Sequence, residues 1–258
     1  MKLIANISLL FTELPMCERF KAAAHAGFDG VEIQFPYAEN LSEIKNACVE
    51  SGMSVELINL PAGNWDAGDV GLAALPERQN EFIAGMELCA DWARELGVKK
   101  VNVLAGKPDS DETAFDTLVE NLTQAAEHFV AIDVQVQLEV INPIDVPGFF
   151  VNDLQTGLDV VRKVNHSNLR LQFDFYHMVR MGYSLVDAIK KSGPLIGHVQ
   201  FADVPDRHEP GTGNIDFGPA IDALRAIGYD GAIAAEYNPL GNTIDGLGWM
   251  SNFRKMIV

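Results

Sequence analysis

Short apolar runs rich in branched residues alternate with longer stretches of helical periodicity along the whole chain. The short runs predict eight strands, and the longer stretches predict helices between them. Strands that alternate with helices indicate repeated βα units and a parallel sheet. The predicted strands are 3–10, 30–35, 54–59, 100–104, 135–141, 169–173, 196–201 and 232–236. The predicted helices are 16–26, 41–50, 77–96, 112–131, 154–164, 185–191 and 219–227.

A weak internal repeat favours closure of this sheet into a barrel. The segment AGFDGVEI at residues 26–33 resembles IGYDGAI at residues 227–233. Each has a Gly just past a helix, where the left-handed conformation is common, and then a strand. The length of 258 residues matches the roughly 250 residues of a (β/α)₈ barrel. The sequence therefore predicts an α/β fold, a (β/α)₈ TIM barrel that forms a single domain over residues 1–258.

The loops after the predicted strands are longer and richer in Gly, Pro and polar residues than the loops before them. In a (β/α)₈ barrel these loops surround the active site. The loop over residues 60–76 carries Gly63, Gly68 and Gly71 beside Trp65. Hinge glycines and an aromatic side chain suit a lid that excludes water, although a structural excursion fits this composition equally well.

Each of the last four predicted strands carries an oxygen ligand at or beside its end. These are Glu139, Asp174, Gln200 and Glu236, with spacings of 35, 26 and 36 residues, one per βα unit. Four neighbouring strands would deliver these side chains to one rim of the barrel. Three carboxylates and an amide oxygen would form a site for Mg²⁺ or Mn²⁺. The alternative is that they are polar residues of the barrel interior held by salt bridges.

Seven segments spread over nearly the whole chain carry a family resemblance. They are ANISLLF at 5–11, FPY at 35–37, NLPAGNWDAG at 59–68, QFDFYH at 172–177, GHVQ at 197–200, DRHEPGTG at 206–213 and EY at 236–237. With these segments the chain resembles the hydroxypyruvate isomerase family. That family is a branch of the xylose isomerase-like barrels and also includes 2-oxo-tetronate isomerases.

The resemblance implies a set of roles for the strand-end residues. Glu139 and Glu236 would be the proton donor and acceptor, and both would bind the divalent ion with Asp174 and Gln200. The implied reaction interconverts hydroxypyruvate and tartronate semialdehyde through an enediolate. Gln200 favours this branch, because ketose 3-epimerases usually have His there. Asn214 departs from the family, whose members often have Glu at that position.

Four further residues are candidates for binding a substrate carboxylate or a substrate oxygen. His177 lies three residues after Asp174, and Arg207 and His208 lie in the loop after the seventh predicted strand. Lys107 lies in the loop after the fourth. Cations at the catalytic face of an acidic protein suit a carboxylated substrate. Structural or surface roles remain the alternative for each of them.

The charge balance limits the partners. The chain has 19 Lys+Arg and 36 Asp+Glu, a net charge of −17, so nucleic acid and anionic membranes are disfavoured. The amino-terminal apolar stretch is too short to span a membrane, and we expect a cytoplasmic protein. The expected partner is a small hydroxy-oxo acid, and the sequence leaves a homo-oligomer open. Rival functions are a 2-oxo-tetronate isomerase, a ketose epimerase, a non-catalytic sugar-acid binding protein and a metal-dependent nuclease.

Overall fold

The computed structural model describes the backbone of residues 1–258 and all side chains except those of residues 111 and 112. The strands are β1 (Lys2–Asn6), β2 (Gly30–Ile33), β3 (Val55–Asn59), β4 (Lys100–Val103), β5 (Gln135–Glu139), β6 (Leu169–Asp174), β7 (Ile196–Phe201) and β8 (Ala232–Ala235). They are parallel and lie side by side in chain order, and β8 pairs with β1 to close a barrel. The predicted (β/α)₈ fold is therefore confirmed. The extent of the domain, residues 1–258, stays a prediction.

Helices follow the strands and surround the barrel. They are α1 (Met16–Ala26), α2 (Leu41–Ser51), α3 (Gln79–Leu96), α4 (Asp111–Val130), α5 (Leu154–Val164), α6 (Phe175–Arg180), α7 (Leu185–Ser192), α8 (Phe217–Ala226) and α9 (Met250–Ile257). The sequence pattern missed α6 and α9, which have six and eight residues. In the described part of the chain, no helix combines the length and apolar character needed to cross a membrane.

Local hydrogen bonds shift two predicted boundaries. The strand predicted at 3–10 ends at Asn6, because the Asn6 carbonyl oxygen accepts two backbone amides of the turn that follows. The helix predicted at 219–227 begins at Phe217. It starts earlier because the Asp216 side chain accepts a backbone amide of the first turn at 3.2 Å and caps the helix.

Three glycines end helices as the repeat predicts. Gly27, Gly52 and Gly97 follow α1, α2 and α3 with φ angles of 91°, 70° and 67°. Glycine adopts this left-handed conformation without the steric cost that a Cβ atom brings. The chain therefore turns sharply after each of these helices into the next strand.

The apolar core lies between the barrel wall and the helices, whereas the barrel lumen is mostly polar. Alternate strand residues point inward, and the apolar ones form a small separate cluster of Ile4, Ala232 and Ala234. Buried polar groups are costly unless they are hydrogen-bonded, so the polar lumen needs mutual hydrogen bonds. Its buried polar side chains are Asn6, Glu32, Asn102, Gln137, Glu139, Gln172, Asp174, His198 and Gln200.

The tip of the loop over residues 60–76 lies at the mouth of the barrel. Its second half is held to the chain after β4, because the amides of Ala73 and Ala74 donate to carbonyl oxygens there at 3.3 and 2.8 Å. The tip carries Trp65, whose ring centroid lies 5.4 Å from that of Phe35. A lid movement of this loop would therefore be limited to the segment around Trp65.

Candidate active site and metal centre

A cavity of about 240 Å³ opens at the C-terminal mouth of the barrel. This is the face on which (β/α)₈ enzymes carry their active sites. Pockets for drug-sized ligands occupy about 300–1,000 Å³, so this cavity suits a ligand with fewer atoms. Its apolar lining is Leu9, Phe35, Trp65, Leu104, Ile141 and Val146, and its polar lining is Gln34, Asn59, Glu139, His177, Arg207, Glu236 and Asn238.

Glu139 and Asp174, at the ends of β5 and β6, meet His177 at the mouth. Asp174 Oδ1 accepts the Tyr176 amide at 2.8 Å, so the last residue of β6 also caps α6. This cap places His177 one helical turn further on. Its Nε2 lies 3.6 Å from Asp174 Oδ2 and 3.8 Å from Glu139 Oε1. One possible ligand atom from each of these three residues lies within 4.8 Å of the others.

Glu236 follows β8 directly, and Arg207 links it to Asp174. Arg207 Nη2 lies 3.1 Å from Glu236 Oε2 and 3.5 Å from Asp174 Oδ2. The Arg207 backbone is left-handed, with φ at 60°, and its guanidinium lies 5.2 Å from the Tyr176 ring centroid, a favourable cation–π contact. Its Nε is buried, and no described residue accepts a hydrogen bond from it.

Hydrogen bonds through Glu32 on β2 and through Asn6 link Gln200 to the Glu236 carboxylate. Gln200 Nε2 donates to Glu32 Oε1 at 2.7 Å, and Gln200 Oε1 accepts from Gln172 Nε2 at 2.7 Å. Asn6 Nδ2 donates to Glu32 Oε1 at 2.9 Å and to Glu236 Oε1 at 3.3 Å. An amide oxygen has two lone pairs, so Gln200 Oε1 keeps one for a further partner.

A buried acid–imidazole pair holds Glu32 in place. His198 Nε2 lies 2.7 Å from Glu32 Oε2, and both side chains are fully buried. Lys100 Nζ lies 3.5 Å from His198 Nδ1. Burial, together with the Lys100 charge, lowers the pKa of His198 well below its ordinary value. A neutral His198 donates to Glu32 through Nε2, and Glu32 in turn orients the amide of Gln200.

The two glutamates have unequal hydrogen-bond environments. Asn102 Nδ2 donates to Glu139 Oε2 at 2.7 Å. Glu236 accepts from Gln34 Nε2 at 2.5 Å as well as from Asn6 and Arg207. Hydrogen bonds to a carboxylate favour its charged form. Glu236 is therefore the better stabilised of the two as an anion.

Burial raises the pKa of all three carboxyl groups in the cluster. It raises the pKa of Asp174 and of Glu236 to about 7 in spite of the opposing Arg207 charge. It raises the pKa of Glu139 well above its ordinary value, and Glu236 and Asp174 add repulsion. Buried carboxylates that repel one another either keep protons or share a cation. Carboxylate and amide oxygens are the ligands that Mg²⁺ and Mn²⁺ prefer, so the donor set fits the predicted ion.

Two of the four predicted substrate-binding residues line the cavity and two do not. His177 and Arg207 belong to its wall. Lys107 is exposed in the loop after β4 and is not part of the described lining. His208 directs Nδ1 to the Asn238 carbonyl oxygen at 2.6 Å and is likewise outside the lining. The structure therefore brings only His177 and Arg207 to the two glutamates.

The site residues that the sequence reasoning missed lie on the first half of the barrel. Asn6, Glu32, Gln34 and Asn102 all hydrogen-bond to predicted site residues. They lie within or just after β1, β2 and β4. Asn6, Glu32 and Asn102 fall in the interior of their predicted strands, so a search for polar residues at strand ends does not single them out. Glu32 gives the clearest signal, because it is a lone charge within a short apolar strand.

Sequence comparisons place relatives over nearly the whole chain. The family described as "Xylose isomerase-like TIM barrel" matches residues 20–253. Hydroxypyruvate isomerase of Escherichia coli (strain K12) is 40% identical over 253 residues, which cover 97% of this chain and 98% of that protein. The 2-oxo-tetronate isomerase of Cupriavidus necator is 36% identical over 252 residues, which cover 96% of this chain and 97% of that protein.

Solved structures share the same barrel. A Brucella melitensis protein named AP endonuclease, family 2, superimposes with a TM-score of 0.94 at 34% identity over 98% of this chain and 99% of that chain. The D-allulose 3-epimerase of Methylomonas sp. superimposes with a TM-score of 0.81 at 21% identity over 100% of this chain and 98% of that chain. At that identity the second likeness shows the fold alone.

Proposed function

Because the chain belongs to the xylose isomerase-like TIM barrel family, we propose that it is an isomerase of a small hydroxy-oxo acid. Hydroxypyruvate ⇌ tartronate semialdehyde is the reaction we propose first. The observation that carries this proposal is that Glu139 and Glu236 reach one small cavity from strands three apart around the barrel. An isomerisation of this kind moves a proton between neighbouring carbons, so it needs a base and an acid around the substrate.

We assign the first proton transfer to Glu236 and the second to Glu139. Glu236 accepts a proton from the hydroxyl-bearing carbon, and the substrate becomes an enediolate. Glu139 then gives a proton to the former carbonyl carbon, while the remaining hydroxyl proton passes between the two substrate oxygens. The assignment follows from the hydrogen bonds, because Gln34, Asn6 and Arg207 favour the ionised form of Glu236.

A divalent ion, Mg²⁺ or Mn²⁺, would be held by Glu139, Asp174, Gln200 and Glu236. When bound, such an ion polarises a carbonyl group and offsets the charge that develops on oxygen. The chemistry of these donors supports the set. The bond from Gln200 Nε2 to Glu32 leaves the amide oxygen as the only atom of Gln200 available for coordination.

Arg207 and His177 would bind the polar groups of the substrate. Arg207 belongs to the cavity lining, and its guanidinium would pair with a substrate carboxylate. The neutral ketoses that epimerases act on offer no charge to this cation. The apolar side chains of the lining would limit the access of water to the proton transfers.

A 2-oxo-tetronate is the second candidate substrate, since relatives with that activity in their names are 36% and 33% identical to this chain. It shares the hydroxy-oxo acid group and differs in length, so the same residues would act on it. A nuclease, the activity named for the Brucella protein, is disfavoured because a net charge of −17 repels a polyanion.

A substrate panel tests this proposal. Hydroxypyruvate, a 2-oxo-tetronate and the neutral ketose D-allulose would each be incubated with the protein and Mg²⁺ or Mn²⁺, and products followed by proton NMR. We expect turnover of a carboxylated substrate, little or none of the ketose, and loss of turnover in EDTA that Mg²⁺ or Mn²⁺ restores. Binding of the acids without turnover would instead identify a sugar-acid binding protein. Full turnover in EDTA would contradict the metal site.

A further inference from the structure

The loop after β5 determines which atom of the Asn142 amide faces His177. Asn142 is fully buried, and its Oδ1 accepts the backbone amides of Ile144 and Asp145 at 3.1 and 2.9 Å. Its Nδ2 lies 3.0 Å from Asp145 Oδ2 and 2.7 Å from His177 Nδ1. A carboxylate only accepts hydrogen bonds and a backbone amide only donates them. These contacts therefore admit a single orientation of the amide, with Nδ2 as the donor to His177.

We propose that Asn142 is a positioning residue that holds His177 in the Nε2–H tautomer. A neutral imidazole has one donor and one acceptor nitrogen. Nδ1 of His177 accepts from Asn142 Nδ2 and, at 3.4 Å, from the Asn142 backbone amide, so the ring proton lies on Nε2. The Asp145 carboxylate accepts from the Tyr176 hydroxyl at 2.8 Å and from Arg180 at 3.2 Å. These two bonds fix the position of the loop relative to α6.

The Nε2–H group is available to a ligand in the cavity. Nε2 lies 3.6 and 3.8 Å from the nearest oxygens of Asp174 and Glu139, beyond hydrogen-bond length, and His177 lines the cavity. In this tautomer Nε2 has no lone pair for a metal ion, which leaves the ion to oxygen ligands.

The catalytic part of this inference rests on the proposed function. His177 would donate its Nε2 proton in a hydrogen bond to the substrate oxygen on which negative charge develops. A donor aimed at a developing oxyanion stabilises the transition state more than the ground state. Asn142 would act on the reaction through His177 without touching the substrate.

Nitrogen NMR tests the tautomer without reference to activity. The protein would be labelled with ¹⁵N in its histidine rings and measured in Mg²⁺ and in EDTA. Long-range ¹H–¹⁵N spectra distinguish protonated from unprotonated ring nitrogens, and His177→Gln identifies the His177 signals among the six histidines. We expect a protonated Nε2 and an unprotonated Nδ1 in both samples. An Nδ1–H tautomer would overturn the proposal, whatever the substrate proves to be.

Asn142→Asp replaces the donor with an acceptor of the same shape. We expect Nδ1 of His177 to become protonated and kcat to fall about 10²-fold, the lower range for losing an oxyanion donor, with a smaller change in KM. Asn142→Ala removes the donor without adding charge and should let both tautomers appear, which keeps the test usable if the Asp variant does not fold. Asn121→Ala is the control. It truncates another fully buried amide, which donates to the Ala73 carbonyl oxygen at 2.9 Å. This variant should keep the wild-type tautomer of His177 and the wild-type kcat.

The outcomes separate the two parts of the inference. A folded Asn142→Asp protein with Nδ1 still unprotonated would overturn the positioning role. A switched tautomer with unchanged kcat would overturn the catalytic role of the Nε2–H donor. If no substrate in the panel turns over, the proposed function fails, while the expected wild-type spectrum still supports the tautomer.

Discussion

Arg207→Met should weaken binding of a carboxylated substrate, because Arg207 is the only Lys or Arg in the described lining of the cavity. A hydrogen bond to a charged group contributes about 1.5–3 kcal/mol, so KM should rise about 10- to 150-fold. Met keeps the apolar stem that packs near Tyr176 and removes the guanidinium. The kcat should fall as well, because Glu236 loses the donor that lies 3.1 Å from its Oε2.

The assay compares hydroxypyruvate with dihydroxyacetone, which has the same hydroxy-oxo group and no carboxylate. KM should rise for hydroxypyruvate and change little for the uncharged compound. Arg162→Met is the matched control, since Arg162 is 51% exposed and lies 3.8 Å from Asp159 on α5, and its KM should stay at the wild-type value. Equal losses with both substrates would contradict a carboxylate-binding role for Arg207, because its guanidinium would then act only on Glu236 and Asp174.

Two further predictions concern stability and the loop that carries Arg207. In EDTA, the free energy of unfolding should increase as the pH falls from about 7 towards 5. Asp174 and Glu236 have pKa values of about 7 in the folded protein, above their values in the unfolded chain. The folded state therefore loses stability as the pH rises through the folded pKa. Thermal melts in saturating Mg²⁺ should show a smaller slope, and an equal slope would argue against a cation at these carboxyls. Gly213→Ala should lower the melting temperature and raise KM, because the added Cβ would overlap the Val204 carbonyl oxygen and press on Asp203. The Asp203 carboxylate accepts four backbone amides of this loop at 2.9–3.0 Å. Gly218→Ala, whose Cβ would meet Asp216 at 3.4 Å, should have a smaller effect, and similar losses in both variants would contradict this account of the loop.

The barrel could be predicted because its strands and helices have different periods and lengths. Strand ends were enough to predict that Glu139, Asp174 and Glu236 lie at the same face of the barrel, since parallel strands deliver their last residues to one face. The short helix α6 was missed because Asp174 belongs to two elements at once, as the end of a strand and the cap of a helix. Local periodicity does not reveal such a double role.

The partners of the site residues depend on contacts between distant parts of the chain. Gln200 was predicted as a metal ligand, and its bond to Glu32 joins residues 168 positions apart. His208 follows Arg207 in sequence, yet its ring binds the Asn238 carbonyl while Arg207 reaches the cavity. The left-handed backbone of Arg207 directs the side chains of Arg207 and His208 to different places. No residue type in this loop predicts that conformation.

The most direct test of the account is the turnover of Glu139→Gln and Glu236→Gln, measured alongside their affinity for Mn²⁺. Gln keeps an oxygen ligand and the shape of the side chain but cannot act as a carboxylate base. We expect each variant still to bind Mn²⁺, more weakly than the wild type. Each should lose at least about 10²-fold in kcat, the lower end for a positioned acid–base group. Wild-type turnover by both variants would contradict this expectation and would assign the proton transfers to other groups, with His177 the first to examine.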